Sequence, residues 1–493
     1  MARRQLVIEI PALGAIDRSQ RGIGRQLADA LRRAIATGEL KAGERLPSTR
    51  ALADSLRLSR GTVAEAYEQL VAEGRLIAQA GSSTRVADGL HESQMTPQHF
   101  HDSQPGQLPS VPPSATLYAS MADRLAPLPS VPFSVAVPEG DVAMNDHWRR
   151  LSNRVRASQV AAPSGYADPQ GLFALRKAIA DYLRRARAVS CSPDNIVITE
   201  GTQQGLYLAS KVLLAPGDSV WAENPAYPGL TSVLEDNGMR MHRVPVDAQG
   251  LNVAHAIAAC PDAKAAFVTP SHQYPLGMPL SMPRRLALVE WARQQGAWIV
   301  EDDYDSELRY AGQPFPAMQG LDRERVIYLG TFSKVLAPSL RLGYIVAPEC
   351  LVKAFVGARA LMGRGSPSVE QHVVAAYMRE GYFETHIKRI RGIYAERRQV
   401  LIDAIQNDLP ELRIQPADQG MHIVAWLPKG MDDVAVASAA SQAGITLRAL
   451  SPMAAGQQEL TGLMLGFGGF SSEQLRDAVR RLRRVLGTGL PAS

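Results

Sequence analysis

The sequence predicts a multidomain chain: a small helical head with a β-ribbon, then a larger α/β body ending in a smaller α+β part. Three observations point there. Short helical periods fill residues 18–88, prolines crowd residues 89–132, and strand-length apolar runs alternate with helical stretches from about residue 133. A chain of 493 residues has room for two or three domains. At 46% hydrophobic and 20% charged it holds ample core material, which excludes wholesale disorder. No apolar run approaches the ~18 residues of a membrane span. Residues 6–10 are too short a run for a signal-peptide core, and Glu9 interrupts them. Cys191, Cys260 and Cys350 are odd in number and far apart. Neither a disulfide framework nor a metal site is expected from them, and the default compartment is a reducing cytoplasm.

The head comes first in order. Ile23, Leu27, Leu31 and Ile35 fall on one helix face, and Gly38 supplies a C-terminal stop. Ser48 is placed to cap a second helix over 49–56. Ser59 caps a third from Arg60 to about Ala72, with Val63, Tyr67 and Leu70 as its apolar face and Gly74 as its stop. Strands over 76–79 and 84–86 flank a turn at Gly81, Ser82 and Ser83. Three helices and a ribbon make a winged helix-turn-helix. A recognition helix reads base edges through its first residues, which here are Arg60, Gly61 and Thr62. Ser48, Thr49 and Arg50 open the second helix, where backbone N–H groups suit a phosphate, and Arg85 sits beside the wing tip. Of the net charge of +5, residues 1–88 carry +4, which fits double-stranded DNA as partner. Residues 38–76 and 81–86 resemble the winged-helix domain of GntR-type bacterial regulators. That resemblance implies dimers on repeated operator half-sites.

Residues 89–132 hold eight prolines among Ser, Gln and His and read as a semi-extended linker. In the body, apolar runs at 196–199, 220–222, 265–268, 298–300, 326–329 and 344–346 predict a mainly parallel sheet with helices on both faces. A helix is expected over 172–183. Strands at 420–426 and 463–467 and a final Arg-rich helix make the tail α+β. The expected domains are 1–88, the linker 89–132 and the body 133–493. The body divides into a large part at about 190–385 and a small part at about 386–493 joined by the N-terminal stretch.

The chemistry concentrates at strand ends. Gly330, Thr331, Phe332, Ser333 and Lys334 follow an apolar strand, and Arg341 comes seven residues later. Alone, Lys334 would read as a surface charge. Its companions change that reading. Ile299 and Val300 run into Glu301, Asp302, Asp303 and Tyr304; Gly201 and Thr202 form a strand–turn–helix start suited to a phosphate; Tyr227 stands in a strand-end loop. Together with residues 165–171 and 269–277, these resemble the fold-type I pyridoxal-phosphate enzymes, the aspartate aminotransferase-like group, over about 133–485. The resemblance implies pyridoxal 5'-phosphate as cofactor and Lys334 as its internal aldimine lysine. It implies Asp302 against the pyridine nitrogen, preferred over Asp303 by its offset from Tyr304, and Tyr304 on the ring hydroxyl oxygen. Gly201, Thr202, Ser333 and Arg341 would hold the phosphate, Tyr227 would stack on the ring, and Tyr166 would reach the neighbouring subunit's phosphate.

Two departures stand out. The family's Asn-Pro-x-Gly loop reads Tyr274, Pro275, Leu276, Gly277 here, so the Asn contact is missing. Met464 occupies the strand where many relatives carry the arginine that grips a substrate carboxylate. Arg448 is either its substitute or a surface loop cation. Head, linker and body in this order resemble the MocR subfamily of GntR regulators. The expectation is a homodimeric, cytoplasmic transcriptional regulator, with no membrane association, that senses pyridoxal phosphate or an amine or amino compound through Lys334. Two alternatives are an active aminotransferase with a vestigial head and a regulator whose body no longer uses the cofactor.

Overall fold

The computed structural model describes residues 22–78, 83–88, 111–139, 145–161, 165–310, 312–365, 368–415, 417–456 and 460–487. The chain forms two compact units, Met1–Val111 and Pro112–Ser493. In the first, helices α1 (Ile23–Ala36), α2 (Thr49–Leu56) and α3 (Arg60–Ala72) precede a ribbon of β1 (Leu76–Ile77) and β2 (Arg85–Val86). Leu27, Leu31, Val63 and Leu70 are wholly buried, and Leu76 and Val86 close the core from the ribbon. Ser48 Oγ accepts the Ala51 N–H at 3.2 Å and Ser59 Oγ that of Thr62 at 3.1 Å, so each serine satisfies one open donor of its helix. Leu76 pairs with Val86 and Ile77 with Arg85, antiparallel. The expected turn residues Gly81 and Ser82 lie outside the described residues.

The second unit starts earlier than expected. Pro97, Pro105 and Pro109 lie outside the described residues, but helix α4 occupies Pro113–Arg124 within the expected linker. Proline density is no obstacle to it. Pro112 and Pro113 stand at the N-cap and first helical position, where the missing N–H costs nothing, and the next proline is Pro127. Met121 is buried, and Arg124 Nη2 donates to Glu235 Oε2 at 2.8 Å. Helices α5 (Asp146–Arg156) and α6 (Phe173–Arg187) follow.

The main sheet holds β3 (Ile196–Thr199), β4 (Ser219–Asn224), β5 (Arg240–Asp247), β6 (Gly250–Leu251), β7 (Ala265–Val268), β8 (Trp298–Asp303), β9 (Val326–Thr331) and β10 (Gly343–Val346). Their spatial order is β3-β10-β9-β8-β7-β4-β5-β6. Strands β9, β8, β7, β4 and β5 are parallel, and β10 runs antiparallel to both its neighbours. Both faces are covered. Ile196 and Ile198 pack with α6, while Val197 packs with α7 (Thr202–Leu213) on the other side. Two-sided burial is why these strands read as unbroken apolar runs. A four-stranded antiparallel sheet, β11 (Arg413–Ile414), β12 (His422–Trp426), β13 (Arg448–Ala449) and β14 (Gly462–Gly466), forms the small part in the order β11-β12-β14-β13. Phe133 bridges to Gly466, which lays residues 133–138 along this sheet. No helix among the described residues is long and apolar enough to cross a membrane. All three cysteines are free thiols.

Candidate functional site

The parallel strands deliver their C-terminal ends to one cavity of about 700 Å³. Ligands of open α/β sheets bind at that edge. Lys334 stands after β9, Asp302 and Tyr304 at the end of β8, Thr269 after β7, Tyr227 after β4, and Thr202 opens α7; all line the cavity. Burial lowers the pKa of the Lys334 ammonium; Asp305 and Asp302 oppose this, and Arg341 and Arg448 add to it. An amine so depressed holds its lone pair more readily than a solvated lysine.

Asp302 and Asp303 are neighbours with different duties. Asp303 Oδ2 accepts from Arg187 Nε and Nη2 at 3.0 and 2.8 Å, from Tyr328 Oη at 2.6 Å and from Ser306 Oγ at 2.9 Å. It is a structural anchor. Alternation along the strand turns Asp302 the other way, into the cavity. Its Oδ1 is buried without a hydrogen-bond partner among the described residues. Burial, with the charge of Asp303 adding, pushes its carboxyl up to about 7. An unsatisfied buried carboxylate oxygen costs about 1–3 kcal/mol or more, and a cationic ring N–H in the cavity would remove that cost.

Tyr227 and Tyr274 meet edge to face, 5.5 Å between centroids, on another wall. Gly201 has φ +90, a conformation in which a side chain is strained, and caps α7. A Cβ built on it would lie 4.0 Å from Ser333 Oγ, so the helix start and the lysine loop adjoin. Ser333 and Arg341 stand outside the cavity lining, and Arg341 is exposed. Arg341 nevertheless acts electrostatically on Lys334. Tyr166 is 85% exposed beneath the Arg364 guanidinium and does not join the cavity of its own chain.

Arg448 lies in the cavity wall, not on a surface loop. It faces Met464 directly in the β13–β14 register. Its guanidinium makes no hydrogen bond or ion pair with the described residues. Met464 is fully buried and offers no polar contact.

Sequence reasoning missed three features. His422, first residue of β12, lines the cavity and donates from Nε2 to the Pro275 carbonyl at 3.0 Å; burial pushes its pKa down to about 3, so the ring is neutral. His272 and Asp305 sit behind Tyr304. A wall is also built from residues 125–128 and 135–138, part of it inside the expected linker. His272 stands in the 269–277 motif and could have been noticed there; nothing in the proline-rich composition marks a cavity wall.

In the first unit, Arg50 and Arg60 are exposed with no side-chain partner among the described residues. Gly61 leaves the start of α3 open, with only Ser59 Oγ near its missing Cβ, at 3.8 Å. Three residues are already engaged: Ser48 as cap, Thr62 Oγ1 at 2.8 Å from Ser59 Oγ, and Arg85, whose Nη1 donates to the Gly43 carbonyl at 3.0 Å. Thr49 is half-buried at the first position of α2.

Comparison with known proteins agrees with this division. The profile of the bacterial regulatory proteins of the gntR family matches residues 23–86, and that of the aminotransferases of class I and II matches residues 134–482. The chain is 36% identical to the "Probable rhizopine catabolism regulatory protein MocR" of Rhizobium meliloti, over 93% of this chain and 92% of that one. It is 34% identical to the pyridoxine biosynthesis transcriptional regulator PdxR of Corynebacterium glutamicum, over 95% and 96%. Among solved structures it resembles LysN, the α-aminoadipate aminotransferase of Thermus thermophilus complexed with N-(5'-phosphopyridoxyl)-L-leucine. That match has TM-score 0.67 and 27% identity and covers 72% of this chain and 91% of that one.

Proposed function

The chain belongs to the MocR subfamily of GntR-type transcriptional regulators, and on that premise we propose that its body binds pyridoxal 5'-phosphate and reads an amine or amino compound at Lys334. One observation carries this reading: a lysine with a depressed pKa and a carboxylate with an oxygen unpartnered among the described residues face the same cavity. The volume is within the ~300–1,000 Å³ typical of small-molecule sites. When bound, the cofactor supplies an aldehyde with which an amine can condense. Asp302 would hold a proton at the ring nitrogen and Tyr304 would face the ring hydroxyl. Gly201 and Thr202, with Ser333 and Arg341 at the rim, would take the phosphate, and Tyr227 would cover the ring. Tyr166 would serve the partner subunit of a homodimer, a state supported by the large side chains left exposed at Tyr166 and Leu361. Arg448, a cation without a partner among the described residues, suits an anionic group on the effector.

The head would bind double-stranded DNA through Arg60, Gly61 and Thr62 at the start of α3, with Ser48, Thr49 and Arg50 on phosphate and Arg85 steadying the wing. An effector changes DNA binding only if it binds two states of the protein unequally. Displacing the Lys334 amine would supply that inequality, because it leaves a buried ammonium that the free state lacks. The test is operator binding of wild type and Lys334→Ala with cofactor and a panel of amines. Loss of the amine response with DNA binding retained supports the reading; an unchanged response dismisses it. A second reading, an active aminotransferase, is favoured by the complete set of Lys334, Asp302 and Tyr304 around the cavity; steady turnover of an amino donor with a keto acid would establish it.

A further inference from the structure

The cofactor roles leave one buried pair unused. The His272 and Asp305 side chains are each 1% exposed. His272 Nδ1 lies 2.9 and 3.1 Å from Asp305 Oδ2 and Oδ1, and 3.0 Å from Tyr304 Oη. Every one of these contacts converges on one nitrogen. Nε2 is buried and has no partner among the described residues. Two glycines pack closely against the ring. A Cβ at Gly420 would fall 2.2 Å from His272 Cε1 and 3.1 Å from Asp305 Oδ2, and one at Gly277 would fall 3.2 Å from Nε2. Only glycines leave room for this ring in this pose.

Hydrogen-bond chemistry fixes the direction. At neutral pH a carboxylate only accepts, so the Nδ1 facing Asp305 must carry the proton. A nitrogen that donates has no lone pair in the ring plane, and so it cannot accept from Tyr304. The phenol oxygen beside it is therefore the accepting partner. The phenol's own proton has to point elsewhere, and the open side of Tyr304 is the cavity. The opposite arrangement would set a lone pair against a carboxylate at 2.9 Å.

We infer that His272, its tautomer set by Asp305, is a positioning residue that aims the Tyr304 phenol proton into the Lys334 cavity. Tyr304 is thereby a donor to an oxygen anion bound there, not an acceptor. This inference rests on the cofactor reading above.

The test uses the full chain loaded with pyridoxal 5'-phosphate and reads the pH midpoint of its visible absorbance. Lys334, Asp302, Tyr227, Tyr274, His422 and Arg448 also titrate or carry charge around the cavity and are common to every variant. Tyr304→Phe should raise the midpoint by about one pH unit, because a donor to the ring oxygen is lost. His272→Gln, whose amide reaches past the Nδ1 position, should raise it similarly. His272→Asn, whose N–H falls where Nδ1–H stands, should return it most of the way. Combined with Tyr304→Phe, His272→Gln should add less than about 0.3 unit. Additive shifts, or His272→Asn no better than His272→Gln, overturn the inference while leaving the cofactor reading intact. A wild-type protein with no visible band overturns both. A role in packing alone would not separate the two amide variants.

Discussion

Lys334 and Asp302 are both shifted by burial from their ordinary solution behaviour. Each faces the same cavity, and each has its charged form penalised by burial. For Asp302 this has a consequence for stability. Its carboxyl is pushed up to about 7 from an ordinary 3.8. Between those values the unfolded chain releases a proton that the folded chain keeps, so this group's contribution to folding stability falls as pH rises from about 4 to 7 and is level above that. Asp302→Asn should therefore flatten part of the fall in melting temperature of the cofactor-free chain across that range. Glu223, Glu301 and Glu307, also raised to about 7 by burial, keep the rest of the slope. A variant whose melting curve tracks wild type at every pH would contradict the placement of Asp302 in the cavity. Arg448 makes a simpler prediction. If its guanidinium takes the effector's anionic group, Arg448→Met should weaken the apparent effector affinity about tenfold or more, as expected for a charge-assisted hydrogen bond worth ~1.5–3 kcal/mol. Titration of the DNA-binding response would read this.

Elements divide by how openly their residues state their place. The capped helices α2 and α3 were legible to the residue, because Ser48 and Ser59 announce both starts and Gly74 ends α3. Strands β3 and β7 were legible because burial on both faces leaves no polar position to confuse the run. Strand β5 was not, since Arg240, His242 and Arg243 lie near the sheet's margin, partly in water, and hide its period. Helix α4 was hidden by its proline-rich flanks, and with it went the wall at residues 125–128. The cavity followed the same rule. Lys334, Asp302, Tyr304 and His272 sit in short strand-end motifs, whereas His422 comes into place only through tertiary packing. Element-level tests follow from the caps. Ser59→Ala should cost the head about 1 kcal/mol, read as a lower melting temperature of the head. Arg60→Ala should weaken operator binding about tenfold, the size of one base contact worth ~1–3 kcal/mol, with cofactor absorbance intact. Unchanged DNA binding would mean that α3 does not read the operator.

At the scale of the whole molecule, two independent matches in one order, residues 23–86 and 134–482, make the chain a regulator with an enzyme-derived body. That architecture was legible in the sequence because each half carries its own motifs. The point at which the second compact unit begins, Pro112, was not, because composition describes prolines and not what packs on them. The cavity draws part of its wall from residues 125–138, the stretch of the second unit that follows α4. The account depends above all on the Lys334 amine condensing with the cofactor's aldehyde, and borohydride reduction of the loaded chain followed by peptide mass spectrometry tests this directly. The account predicts one phosphopyridoxyl group per chain on the peptide carrying Lys334, and less there when Asp302→Asn and Tyr304→Phe together remove the carboxylate and the phenol from the cavity. Label spread over exposed lysines, with Lys334 unmodified, would contradict it.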